Sequence, residues 1–244
     1  MNASLLQTAF AQPHAWIGAL ALITFWTAAL ARKGSQTHRY AGRLFLVAML
    51  GILLTAVPLT LSTWLRGQVV WATFLAYLII LVAVNCLNAW RAIRFRSDFA
   101  GYINPGFRIG ALVLGLSGLG VMAVGAVHGA IILMAFGLIG PLTAWQSLRL
   151  IRRGPDDRQW WLRSHFGAMI GNGIATHIAF FQIGLVRLFA ELGAAWIINI
   201  AWLLPLAIGI IASVILDRRY RPATTNPAGG PVGRPRFGWR RAVR

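Results

Sequence analysis

Seven long apolar runs constrain this chain more than any other feature of its sequence. They cover about 14–31, 44–65, 69–90, 109–129, 130–148, 164–185 and 196–216. A helix needs about 20 apolar residues to cross a bilayer. Charged residues make up only 11% of the 244, against roughly 25% in soluble domains. The sequence therefore predicts an all-α, polytopic membrane bundle of seven transmembrane helices over residues 1–216.

The predicted number of seven transmembrane helices depends on the junction between the fourth and fifth runs. Only "AVHGAI" separates the two runs, with His128 and Gly129 as the polar or flexible positions. We expect a tight turn there, since a single helix through both runs would contain about 40 apolar residues, twice what a bilayer requires.

The basic residues predict the orientation. Every lysine and arginine except Arg66 and Arg187 follows run one, three, five or seven. Cytoplasmic loops are enriched in these residues, so we expect the N-terminus outside and the C-terminus in the cytoplasm of a bacterial inner membrane. This topology accounts for the net charge of +18, and no nucleic-acid partner is expected.

Residues 217–244 differ in composition from the runs. They are rich in arginine, proline and glycine, and such segments bury too little apolar surface to fold alone. We expect a disordered cytoplasmic tail that, like the basic loops, contacts anionic lipid head groups.

A weak internal repeat suggests one alternative architecture. A shift of 120 residues places "ARKGSQTHRYAGRLFLVAM" on "IRRGPDDRQWWLRSHFGAM" and runs one to three on runs five to seven. The fourth run would then link two parallel three-helix units, an arrangement found in some transporters.

Histidine is the strongest candidate for chemistry. Polar side chains inside a bilayer are costly and often functional, yet no Asp, Glu, Lys or Arg lies deep in a run. The predicted topology divides the histidines into an inner pair, His38 and His165, and an outer set of candidate metal ligands, His14, His128 and His177.

The surroundings of the inner pair favour a cofactor. Imidazole and thioether groups bind haem iron or copper, and Met169 and Asn172 share a helical face with His165, as does Thr176. Arginine forks pair with haem propionates or lipid phosphates. The candidate cofactor-binding residues are His38, Arg39, Arg43, Arg163, His165, Met169 and Asn172. In the competing interpretation, His38 caps a loop and the arginines only set topology.

Other polar residues have simpler interpretations. Cys86 lies within a run and behaves as a small buried hydrophobe. Asn85 and Asn172 are also suited to hydrogen bonds between helices.

Two motifs resemble those of a bacterial multi-pass membrane protein family known only as a domain of unknown function. One is His-Arg-x-x-Gly-Arg at His38–Arg43, and the other is Trp-Leu-x-x-His-x-x-x-Met at Trp161–Met169. A histidine that opens the first run, here His14, is a third shared feature. The resemblance covers about 14–185 and implies an integral membrane protein, without implying an activity.

Three functions remain open at this point. The first is a redox or electron-transfer protein that binds haem b, copper or iron through histidines and exchanges electrons with a redox protein or quinone. The second is a small-solute transporter or channel built from the two three-helix units. The third is a non-catalytic membrane partner or assembly factor.

Overall fold

The computed structural model describes residues 2–155, 157–188 and 195–220, and these ranges contain helices and no strand. The helices are α1 (Ala3–Leu30), α2 (Gln36–Leu65), α3 (Val69–Arg94), α4 (Phe99–Tyr102), α5 (Pro105–Val127), α6 (Ile131–Gly137), α7 (Ile139–Arg153), α8 (Trp160–Leu188) and α9 (Ala195–Tyr220). Six segments of the described chain are long and apolar enough to cross a membrane, and α6 with α7 forms one of them. This confirms an all-helical architecture and indicates a multi-pass membrane protein.

Helix α8 contains 29 residues and is not among these six, which are counted over the described residues alone. It packs against α3, α9 and α1, so its polar side chains have helices around them. A total of seven crossings, with α8 as one of them, stays a prediction.

The turn between the fourth and fifth runs is confirmed. Helix α5 ends at Val127, His128 caps it, and α6 begins at Ile131. Gly129 adopts a φ of 63°, a left-handed conformation that glycine takes without steric cost. The alternative of one continuous helix is wrong.

The fifth run is interrupted within its first half. Helix α6 ends at Gly137 and α7 begins at Ile139, so Pro141 falls in the first turn of α7, where its missing N–H breaks no helical bond. The Tyr77 hydroxyl of α3 donates to the carbonyl of Phe136 across 2.9 Å. The break is therefore stabilised by a neighbouring helix, as the bilayer requires.

Packing does not follow the proposed repeat closely. The 120-residue shift pairs α1 with α7 and α2 with α8, but α1 packs chiefly against α2 while α7 packs chiefly against α5. The 3+1+3 repeat stays a prediction.

The last helix extends beyond the predicted boundary at residue 217. Helix α9 continues to Tyr220 and includes Arg218 and Arg219 in its last turn. The rest of the predicted disordered tail, residues 221–244, lies outside the described residues.

Two hydrophobic clusters hold α3 and α8 in place. One lies between α3, α5, α6, α8 and α9 and is built around Phe74, Tyr77 and Trp202. The other joins α1, α2 and α3 through Ala21, Phe45, Ala48, Met49 and Val82, and Met169 of α8 packs against it. Through these clusters α3 packs against both α2 and α8.

Candidate functional site

The site lies at what we call the basic end of the bundle, where α1, α3, α7 and α9 end and α2, α5 and α8 begin. Gly34, with a φ of 79°, turns the chain between α1 and α2. Ser35 caps α2 by accepting from the backbone N–H of His38. This cap places His38 in the first turn of α2, beside the last turn of α1.

The imidazole of His38 is fixed by the end of α1. Its Nδ1 lies 2.9 Å from the carbonyl oxygen of Ala28, one of the last carbonyls that a helix cannot satisfy internally. The Lys33 ammonium donates to the same oxygen and to Ala29, and partial burial lowers the pKa of Lys33. His38 thus caps the end of α1, through one ring nitrogen only.

His165 is fixed in the same way by α3. Its Nδ1 lies 3.1 Å from the carbonyl oxygen of Ala89. Because a carbonyl only accepts, Nδ1 carries the proton in both imidazoles and Nε2 keeps its lone pair. Neither Nε2 has a hydrogen-bond partner among the described residues.

The two imidazoles lie at the same end of the bundle, within range of an electrostatic interaction. A histidine that ligates a metal usually donates one ring N–H to a carbonyl and binds the metal through the other nitrogen. Both members of the predicted inner pair therefore keep an open Nε2 at this end of the bundle.

The three candidate arginines differ. Arg163 forms an ion pair with Asp157, and its Nε lies 4.0 Å from Asp217 Oδ1, so carboxylates already compensate its charge. Arg39 and Arg43 are exposed on α2 and make no ion pair with any described residue. Only these two remain suited to bind a propionate or phosphate.

The predicted polar stripe of α8 faces α2 and α3. Asn172 and Thr176 are buried, and the Thr176 hydroxyl lies 3.6 Å from Met49 Sδ. Met169 packs against the cluster that contains Met49, and so does Cys86. The grouping of Met49 and Cys86 beside the predicted Met169 is the part of the region that sequence reasoning missed, since the register between α2, α3 and α8 is not encoded in any local pattern.

Two of the three outer histidines, His14 and His177, have side-chain partners within the protein. His177 donates from Nδ1 to the Gly173 carbonyl across 2.7 Å, and its Nε2 accepts from Trp26 Nε1 across 2.9 Å. His14 lies 2.8 Å from Thr55 Oγ1, and His128 belongs to the turn after α5. In the described ranges, no three His, Cys, Asp or Glu side chains are grouped to hold a metal ion.

A cavity of about 750 Å³ lies on another side of α8. Its walls are mostly apolar, with polar positions that include Asn88, Ser147 and Ser164 towards the basic end and His14 and Gln182 beyond. Between Ser164 and Gln182 the cavity follows α8 for about 27 Å, at 1.5 Å per residue. His38 and His165 do not line it.

Comparison of the chain with protein-family models, with curated proteins and with solved structures finds no match. The resemblance drawn from the two motifs therefore stays a prediction.

Proposed function

We propose that this protein is a membrane redox protein that holds a metal centre, a b-type haem or a copper or iron ion, between His38 and His165. The observation that carries the proposal is the pair of imidazoles from α2 and α8, each fixed through Nδ1 and each with an open Nε2. Such a pair can supply two axial ligands to haem iron or two ligands to a smaller ion.

The charge around the pair supports haem over a bare cation. Lys33, Arg39 and Arg43 lie at the same end of the bundle, and positive groups favour the two haem propionates while they repel a free metal ion. A bound haem would supply a one-electron carrier at this end. Because neither histidine lines the 750 Å³ cavity, the haem would lie outside it.

The proposed topology completes this function. With the N-terminus outside and the basic end in the cytoplasm, the arginines contact anionic lipid head groups. A metal centre held by the two histidines would supply electron exchange with a cytoplasmic redox protein or a quinone. Reporter tags fused to each terminus test the topology. Tags that report the same side would contradict an odd number of crossings.

An absorption spectrum tests the metal centre directly. The protein purified in detergent should show a Soret band when oxidised and a sharp α band after dithionite reduction, with one metal per chain by elemental analysis. A stoichiometric metal without a Soret band would assign the site to copper or iron. A colourless protein without stoichiometric metal would overturn the proposal.

The cavity favours a small-solute transporter as the second candidate. It is long enough to follow most of the bilayer and has polar positions at both ends. In a Cys86→Ser background, Ser147→Cys should then react with a membrane-impermeant maleimide from one side, whereas Leu116→Cys, exposed on α5 and expected to face lipid, should not. Equal, low labelling of both positions would argue against transport through this cavity.

A further inference from the structure

Asn172 is the most unusual polar residue in the described chain. Its side chain is 0% exposed, and neither its amide nitrogen nor its amide oxygen has a hydrogen-bond partner. It lies twelve residues into α8, about 18 Å from the first residue of that helix, so it belongs to the interior of the bundle. An amide without partners at this depth is costly and is therefore suited to bind a ligand.

Three sulfur-containing residues, Cys86, Met49 and Met169, lie in the same region of the bundle. The Cys86 thiol of α3 interacts with the Asn172 side chain, although no described atom completes a hydrogen bond of normal geometry with the amide. The Thr176 hydroxyl links the carbonyl of Asn172, at 3.0 Å, with Met49 Sδ, at 3.6 Å. Met169 lies one helical turn before Asn172 and packs, like Cys86, against the cluster of Met49.

We propose that this group, which we call the sulfur site, binds a single Cu(I) ion. Cys86 supplies the thiolate and Met49 and Met169 supply thioethers, the soft ligands that select Cu(I). The amide nitrogen of Asn172 donates to the bound thiolate, which gives the unpartnered amide a function and stabilises the negative sulfur. Methionine side chains are flexible enough to turn towards the ion.

Charge balance favours Cu(I) over other metals. On binding, the S–H bond of Cys86 breaks, an S–Cu bond forms and the proton leaves to water, with no change in oxidation state. One thiolate with Cu(I) gives a neutral site, whereas Zn(II) with the same ligands leaves a positive charge that the low dielectric of the membrane disfavours. Helices α2, α3 and α8, which supply the residues of this site, contain no Asp or Glu that could neutralise a divalent ion.

This inference goes beyond the proposed redox centre, because only Met169 is a candidate ligand for both. The sulfur site lies deeper along α8 than His165 and takes its other ligands from α2 and α3 instead of the two imidazoles. A His38→Ala/His165→Ala double variant separates the two, since it should lose the redox centre and keep the sulfur site.

Competition with a Cu(I) chelator tests the proposal. The full-length protein, purified in detergent under reducing and metal-free conditions, should take one Cu(I) from bicinchoninate, and X-ray absorption should show sulfur neighbours. Cys86→Ser and Cys86→Ala should lose this copper. Met169→Leu and Met49→Leu should weaken binding by about tenfold or more, since both keep the side-chain volume.

Matched controls keep the test decisive. Met122→Leu, a methionine of α5 outside the sulfur site, should bind copper like the wild type. Asn172→Leu should also weaken Cu(I) binding by about tenfold, as expected for the loss of a hydrogen bond to a ligand, while the helical circular dichroism stays unchanged. Copper binding that is equal in the wild type and in a folded Cys86→Ala variant would overturn the proposal, and so would no binding by the wild type.

Discussion

Two histidines in one helix have opposite surroundings. His165, near the start of α8, uses Nδ1 to bond α3 and keeps Nε2 open. His177, twelve residues later, bonds its own helix through Nδ1 and accepts from Trp26 through Nε2. Because the side chain and the helix are the same for both residues, the neighbouring helices determine which imidazole can still bind a ligand.

Removing the two imidazoles one at a time should give the largest difference between the surroundings of His165 and His177. His165→Ala should abolish the haem absorbance or the bound metal, because it deletes a ligand. His177→Phe should keep both, since this ring binds only protein groups. Reduced-minus-oxidised spectra at equal protein concentration measure the difference. Loss of the metal in both variants would mean that the two histidines are not functionally distinct.

Two glycines of α8 allow the two regions to be compared by the stability of the protein. A Cβ at Gly173 would lie 2.4 Å from the Phe25 ring, whereas a Cβ at Gly167 would meet no atom within 4 Å. Gly173→Ala should destabilise the protein by about 1–3 kcal/mol through overpacking near His177. Gly167→Ala should be neutral or stabilising by up to about 1 kcal/mol, since alanine is the better helix former.

Thermal unfolding in detergent, monitored by circular dichroism, compares these two variants. The metal content should be unchanged in Gly167→Ala. If Gly173→Ala is as stable as the wild type, the close contact between α1 and α8 at Phe25 is not rigid.

The smallest expected effect concerns the hydrogen bond that Trp26 donates to Nε2 of His177. Trp26→Phe removes the indole N–H and should cost about 1 kcal/mol of stability, the usual value for one hydrogen bond. In the His177→Phe background the same substitution should cost less, because its partner is already absent. A double-mutant cycle of unfolding free energies measures the coupling, and full additivity would show that the bond contributes nothing.

The glycines show where sequence reasoning succeeds in part. The pairs Gly125 with Gly129 and Gly167 with Gly171 have the spacing of close helix contacts. One member of each pair makes such a contact: a Cβ at Gly125 would lie 2.9 Å from Leu133 Cβ, and one at Gly171 would lie 2.7 Å from Asn85 Nδ2. Gly129 instead forms the turn after α5. Spacing identifies small residues on one face without indicating which of them meets a neighbour.

The candidate site also combines features that the sequence predicted with features that it did not. The sequence identified His38 and His165 as a pair, because depth along a helix follows from residue number and the topology from basic loops. It could not predict the ion pair between Asp157 and Arg163 or the hydrogen bond from Trp26 to Nε2 of His177. It also could not predict that Met49 and Cys86 would lie in the same region as Asn172. Each of these contacts joins residues of different segments, or lies in a loop without a regular repeat.

What the sequence by itself determined is the helical architecture and the positions of most helix ends, because bilayer thickness and unsatisfied backbone groups leave few alternatives. What only the tertiary structure decided is which polar atoms remain free. That depends on the rotation and register of helices about their neighbours, and an unpaired Nε2 or amide becomes visible only when every possible partner has a position.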